Sequence, residues 1–216
     1  VPQLLAAGVD FLAFDFMGEG NMPILARRTH DGTGTPYMSE FIDQMSRYLS
    51  SILDGGVRVV ANAGGLDAAA CAAALRDVAA SNGLRPKIAF VEGDNIASSL
   101  PDFQRQGLLL PFGREGLPEK PCTTANAYFG ALPIAAALDR GADIVITGRI
   151  VDGAASLGPL IHAFGWSADD WDRLSAGTLI GHLLECGAHV TGGLFTDWQD
   201  VPGWDNIGYP VAECRA

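Results

Sequence analysis

Apolar residues along the chain switch repeatedly between short continuous runs and a three- and four-residue helical spacing. The short runs are rich in β-branched residues, which is typical of buried parallel strands. They predict four strands, at residues 9–16, 57–65, 87–94 and 143–146. Because helical patterns such as residues 38–53 separate them, we predict an α/β fold with a doubly wound, mostly parallel, Rossmann-like sheet and helices on both faces.

Two alanine-rich segments, residues 66–82 and 124–140, predict helices of high intrinsic propensity. Thr123 or Thr124 is expected to cap the second of these helices. Residues 101–121 contain several prolines and glycines without a clear period, and they predict a loop or lid with a short helix.

The last part of the chain contains further start and stop signals. Residues 167–170 resemble a capping box and predict a short helix through Leu174. Ser175 is expected to cap a separate helix that Gly187 closes. Residues 189–193 are a candidate for a last strand.

Composition narrows the class of protein. A chain of 216 residues, 48% of them apolar, predicts a single α/β domain over residues 1–216. A net charge of −11 argues against nucleic-acid binding, which needs clustered Lys and Arg. No apolar run reaches the roughly 18–20 residues of a membrane span. Four scattered cysteines indicate reduced thiols and a cytoplasmic protein, and the many alanines and glycines favour a homo-oligomer.

The chain begins at Val1 within a predicted helix and stops abruptly at Ala216. We therefore expect a fragment that lacks a first strand and a C-terminal part.

Polar residues follow the end of every predicted strand, and parallel strands bring such turns to one edge, where ligands bind. The candidate ligand-binding residues are Asp15, Glu19, Asn62, Gly64, Gly65, Asn95, Thr147 and Gly148. The candidate catalytic residues are Glu92, Asp94, Arg149 and Asp152. In this hypothesis Arg149 holds a substrate carboxylate, the glycines present backbone N–H groups, and Glu92 or Asp94 moves the proton.

Each of these residues has a structural alternative. The pair Gly64-Gly65 could serve only as a turn, and Asp94 could cap the following helix. Glu92, directly after an apolar strand, is expected to be partly buried and paired with Arg149, an ion pair that could itself be only structural.

A cofactor is not identified by any motif, since neither GxGxxG nor a Walker sequence is present. A group of carboxylates that includes Asp15, Glu19, Glu92, Asp94 and Asp152 could hold a divalent metal such as Mg²⁺, or could act as acid–base groups, but we assign no residue as a metal ligand. His182 and Glu185 share a helix face without forming HExxH. His182 is an acid–base candidate only if that helix end reaches the cleft; otherwise it is an interior or interface histidine.

Residues 142–166 (ADIVITGRIVDGAASLGPLIHAFGW) and 169–193 (DDWDRLSAGTLIGHLLECGAHVTGG) resemble the AtuA-type acyclic terpene utilisation family. The earlier blocks VDFLAFDF, VRVVANAGG and KIAFVEGDNI are similar to that family's blocks in the same order. The resemblance to this family's N-terminal domain implies a role in the bacterial degradation of citronellol- and geraniol-like terpenes through acyl-CoA intermediates. It carries over no catalytic residue.

The first functional hypothesis is an enzyme of terpenoid or branched-chain acid catabolism that acts on a small-molecule carboxylate or acyl-CoA in a hydratase- or lyase-type step. The alternative is a non-catalytic binding or assembly subunit that partners an acyl-CoA enzyme. A second alternative is a metal-dependent hydrolase.

Overall fold

A four-stranded parallel sheet forms the centre of the protein, in a computed structural model that describes residues 1–108 and 122–215. The strand order is β1-β2-β4-β3, so the chain passes from β2 to the far edge and returns. This order confirms the predicted doubly wound α/β fold. The strands are β1 (Phe11–Phe14), β2 (Arg58–Ala61), β3 (Ile88–Val91) and β4 (Ile144–Thr147).

Helices connect these strands and cover both faces of the sheet. The helices of the described ranges are α1 (Pro2–Ala6), α2 (Asn21–His30), α3 (Ser39–Asp54), α4 (Ala68–Ser81), α5 (Leu100–Arg105), α6 (Leu132–Asp139), α7 (Ala154–Phe164) and α8 (Trp171–Glu185). None of them is both long and apolar enough to cross a membrane.

Alternation along the two central strands divides the core into two layers. Val59 and Ile146 point to the face covered by α3 and α4, while Val60 and Val145 point to the face covered by α6 and α7. All four side chains are fully buried, and each such burial stabilises the fold by about 1.5–3 kcal/mol. The carboxyl ends of the strands therefore sit on a rigid base.

Residues 122–131 do not form the predicted start of a helix, so the predicted caps at Thr123 and Thr124 are wrong. The Ala127 amide donates to the Asp94 carbonyl (2.7 Å), which ties this segment across the strand ends instead. The helix begins only at Leu132, with a proline in its first turn, where the missing N–H is not needed. Residues 109–121 of the predicted loop lie outside the described residues.

The two predicted helices near the end of the chain are one helix, α8. The Asp170 carboxylate accepts from the Arg173 amide and caps it, and Ser175 lies within it. Gly187 follows its end with φ +53°, as predicted. Residues 189–193 are not a strand, because backbone bonds such as Gly193 N–H to the Ala188 carbonyl (2.8 Å) fold them into turns.

We predict that Gly64→Ala destabilises the protein, because a Cβ at this position would lie 2.7 Å from both the Thr147 carbonyl oxygen and the Ala68 Cβ. Overpacking of this kind costs about 1–3 kcal/mol. Gly130→Ala is the control, since its Cβ would meet nothing within 4 Å. Urea unfolding followed by circular dichroism should give a lower midpoint for the first variant only; equal midpoints would contradict the close packing described.

Candidate functional site

The deeply buried polar side chains of the described residues lie at the carboxyl ends of the central and outer strands. They are Asn62 after β2, Asp94 after β3, and Thr147 and Arg149 at the end of β4, each at most 7% exposed. Burial of polar groups requires hydrogen-bond partners, so these residues fix the loops around them. The edge of the sheet that the sequence predicted as a cleft is therefore highly organised.

Arg149 is the centre of this organisation. Its Nη1 donates to the Met17 carbonyl (2.5 Å), and its Nη2 donates to the carboxylates of Glu19 (2.7 Å) and Asp152 (3.1 Å). The ring of Tyr128 lies 4.3 Å from the guanidinium carbon. Both terminal nitrogens of Arg149 therefore donate within the protein. Through these contacts Arg149 connects the loop after β1, its own loop after β4 and the segment that carries Tyr128. Its role in holding a substrate carboxylate stays a prediction.

Glu19 is the exposed member of this group, with 77% of its side chain accessible. Its own backbone N–H and the charge of Arg149 lower the pKa of this carboxyl, and the Tyr128 hydroxyl lies 3.4 Å from it. Glu19 therefore remains an anion that faces solvent above the buried guanidinium.

Asp94 joins the ends of β3 and β4. Its Oδ2 accepts from the Asn126 amide (2.8 Å) and from the backbone N–H of Arg149 (3.2 Å). The carboxylate rests directly on Gly148, where any Cβ would collide with it. Gly148 thus allows the close packing of this carboxylate. Asp94 in turn holds the end of β4 and the segment that carries Asn126 in place.

The alternative that Asp94 caps the following helix is wrong. The side chain that accepts from the next segment is Asn95, whose Oδ1 lies 3.2 Å from the Ala97 amide. Neither the short turn at residues 97–99 nor α5 receives a side-chain cap.

Asn62 fixes the loop that follows β1. Its Oδ1 accepts from the amides of Phe16 (2.6 Å) and Met17 (3.2 Å), while its Nδ2 donates to Asp15 (2.5 Å). The side chain of Asp15 is thereby held at the sheet edge although it is exposed.

The Gly64-Gly65 turn is buried beneath neighbouring segments. The Gly64 amide donates to the Thr147 carbonyl (2.9 Å), so it is already engaged within the protein. Gly65 has φ +58°, and a Cβ there would collide with Leu25. The hydroxyl of Thr147 donates to the Gly148 carbonyl (3.0 Å). These contacts match the turn alternative, while ligand binding by the two glycines stays a prediction.

The predicted pair between Glu92 and Arg149 is wrong. Glu92 is exposed and lines an open surface depression on the outer side of β3, whereas Arg149 pairs with Glu19 and Asp152. The reason is the strand order, because β3 is an edge strand and its end is not covered by a neighbour. Proton transfer by Glu92 stays a prediction.

A second group of titratable side chains lies beside Arg149. Asp152, His182 and Glu185 each offer a ligand atom, and these atoms lie within 4.8 Å of one another. His182 Nε2 is 3.5 Å from Asp152 Oδ2, and Glu185 forms a hydrogen bond with Asp15. We call Asp15, Asp152, His182 and Glu185 the carboxylate–histidine cluster. The condition set for His182 is met, because its helix end reaches the cleft.

The approach of α8 depends on two glycines. A Cβ at Gly181 would collide with the Gly153 carbonyl, so the two backbones are in direct contact. This contact brings His182 and Glu185 beside the turn that precedes α7. Their i, i+3 spacing was visible in the sequence, but their proximity to Asp15 was not.

Crowding of carboxylates changes the protonation of Glu185. Burial, the hydrogen bond with Asp15 and the negative charges of Asp15 and Asp152 raise its pKa, although the Cys186 thiol opposes this shift. The thiol lies 3.1 Å from Glu185 and has a raised pKa itself, mainly because of that hydrogen bond. A carboxyl with a raised pKa beside other carboxyl groups is suited to proton transfer.

Two chemistries are therefore available to the carboxylate–histidine cluster. It can donate and accept protons, or it can bind a divalent cation through Asp152, His182 and Glu185. The predicted set of cation-binding carboxylates is dispersed, because Glu92 lies at the far edge while Asp94 and Glu19 serve other contacts.

We predict that Glu185→Gln increases stability relative to the wild type as the pH rises. The folded-state pKa of Glu185 is raised above its ordinary value of 4.5, so the stability it contributes is present below that value and is lost as the pH rises through the folded pKa. Melting temperatures measured from about pH 4 to about pH 7 should show the variant's relative gain growing with pH. Glu213→Gln, in the exposed tail, is the control, and parallel pH curves for wild type and Glu185→Gln would contradict the crowding.

Comparison with known proteins gives a match to one family model. No curated protein and no solved structure matches the chain. The family model described as acyclic terpene utilisation family protein AtuA matches residues 1–216. The match includes every strand end that contributes to the site, and the chain belongs to the AtuA family of acyclic terpene utilisation proteins.

Proposed function

We propose that the carboxylate–histidine cluster is the active site of a hydratase- or lyase-type enzyme acting on a carboxylate or acyl thioester in acyclic terpene catabolism. The family supplies the metabolic role, which is acyclic terpene utilisation. The observation that carries the reaction type is the placement of Glu185 against Asp15, Asp152 and His182 at the carboxyl edge of a parallel sheet.

Addition of water to an α,β-unsaturated acyl group needs a base and an acid on opposite ends of the double bond. The base removes one proton from water while the water oxygen bonds to the β-carbon. The acid donates a proton to the α-carbon. Glu185, with its raised pKa, supplies the proton, and His182 beside Asp152 accepts the proton from water. Elimination of water uses the same groups in reverse.

Arg149 contributes by positioning these groups. Its Nη2 holds Asp152, which in turn lies against His182, so one buried guanidinium sets the geometry of the base. Asn62 holds Asp15 in the same way, on the side of Glu185. Such preorganisation lowers the cost of arranging the groups during the reaction.

We expect Glu185→Gln and Asp152→Asn each to reduce water addition by about 10²-fold or more, because each removes a proton-transfer group or its orienting partner. The assay follows loss of the enoyl absorbance of α,β-unsaturated branched acyl-CoA thioesters. Glu40→Gln, on the exposed first turn of α3, is the control and should retain full activity.

Glu92→Gln separates the two assignments of the proton-transfer residue. If Glu92→Gln loses activity and Glu185→Gln retains full activity, the active site lies on the outer side of β3. Full activity in both Glu185→Gln and Asp152→Asn would overturn the enzyme assignment of this cluster and favour a non-catalytic subunit.

A metal-dependent hydrolase is the second candidate, favoured by the mutual approach of Asp152, His182 and Glu185 within 4.8 Å. Two carboxylates and one imidazole form a ligand set used by divalent metals, which then activate a water molecule.

We expect His182→Ala to weaken Mn²⁺ binding at least tenfold if this candidate is correct, because one of three protein ligands is removed. Titration followed by the electron paramagnetic resonance signal of free Mn²⁺ measures the affinity directly. His30→Ala, at an exposed histidine of α2, is the matched control. Equal affinity in both variants, or no binding at all, would eliminate the metal-dependent candidate.

A further inference from the structure

A groove of about 460 Å³ lies between β1, α7 and α8. One wall is the unpaired edge of β1, a second is α7, a third is α8, and residues 209–214 also line the groove. Its volume lies in the range of about 300–1,000 Å³ that is usual for small-molecule sites.

The lining of this groove is mostly apolar. The polar residues among its lining are Asp10, Ser156, Tyr209 and Glu213. The remainder are aliphatic, aromatic or small residues, with one cysteine, and they include Ala13, Leu160, Phe164, Ile180, Leu184 and Val211. A hydrocarbon chain that entered the groove would be removed from water, which is the main source of affinity for apolar ligands.

Each of the three walls continues into a carboxylate of the cluster. Along β1, side chains two residues apart share a face, so Ala13 in the groove is followed by Asp15 on the same side of the sheet. Along α8, Leu184 in the groove directly precedes Glu185. The α7 wall begins near Ala155, just after Asp152. The groove and the cluster therefore share three segments of the chain, and the groove's lining comes within one to three residues of Asp15, Asp152 and Glu185 along them.

We propose that this groove binds the apolar, branched acyl chain of the substrate, with the chain's neutral thioester carbonyl at Glu185. The occupant is an acyclic hydrocarbon chain, because the groove is lined mainly by apolar residues and because the family is one of acyclic terpene utilisation. This proposal rests on the proposed function, and it assigns the substrate class and the direction in which the substrate lies.

Equilibrium binding of uncharged alcohols tests the groove without any turnover. Calorimetric titration of the protein with 1-butanol, 1-hexanol, 1-octanol and citronellol should give affinities that rise about fourfold for each added methylene. A series in which affinity does not depend on chain length would overturn the proposal.

Ala13→Phe fills the groove next to the cluster, so we expect it to weaken octanol and citronellol binding at least tenfold and to abolish the rise of affinity with chain length. Ala89→Phe is the matched control, because Ala89 occupies the opposite edge strand and lines the separate depression beside β3. Ile180→Trp narrows the same groove from α8 and serves if Ala13→Phe does not fold. Equal losses in Ala13→Phe and Ala89→Phe would contradict the assignment.

The two proposals fail in different ways. If the groove assignment is wrong, the chain-length series is flat whatever Glu185→Gln does to turnover. If the proposed reaction is wrong, Glu185→Gln leaves turnover intact while the chain-length series and the effect of Ala13→Phe persist.

Discussion

The burial of one guanidinium is the constraint on which the rest of the site depends. Arg149 is only 2% exposed, and a buried charge is stable only when paired and hydrogen-bonded. It satisfies this requirement by drawing in the Met17 carbonyl, Glu19 and Asp152. Burial of Arg149 therefore requires the loops after β1 and β4 to lie against each other. This contact brings together the candidate catalytic residues that these loops carry.

The sequence was sufficient to predict the parallel sheet and the polar residues at its carboxyl edge. Both are encoded locally, because β-branched runs followed by polar, glycine-containing turns mark the ends of parallel strands. Asp94, Asn62 and Arg149 were found in this way. The predicted burial of Glu92 and its pairing with Arg149 were wrong because both depend on strand order: the same carboxylate would be buried after a central strand, but β3 lies at the edge. Nothing in the local pattern around Glu92 encodes that position.

The carboxylate–histidine cluster shows the complementary limit. His182 and Glu185 are adjacent on one helix, but their partners Asp15 and Asp152 are more than a hundred and about thirty residues away along the chain, respectively. Their meeting requires α8 to lie on the turn before α7, a tertiary contact made through glycines that give no chemical signal. The division of α8 into two predicted helices concealed it further, because it separated the capping Asp170 from the helix that carries the site.

The contact between Gly181 and Gly153 has a consequence for how such a site can vary. Backbone lies on backbone here, so the distance between the two halves of the cluster is set by the absence of a side chain. Any larger residue at position 181 would push α8 away from the turn at Gly153. His182 and Glu185 would then move away from Asp15 and Asp152. The arrangement of the four titratable side chains thus depends on a residue that has no functional group.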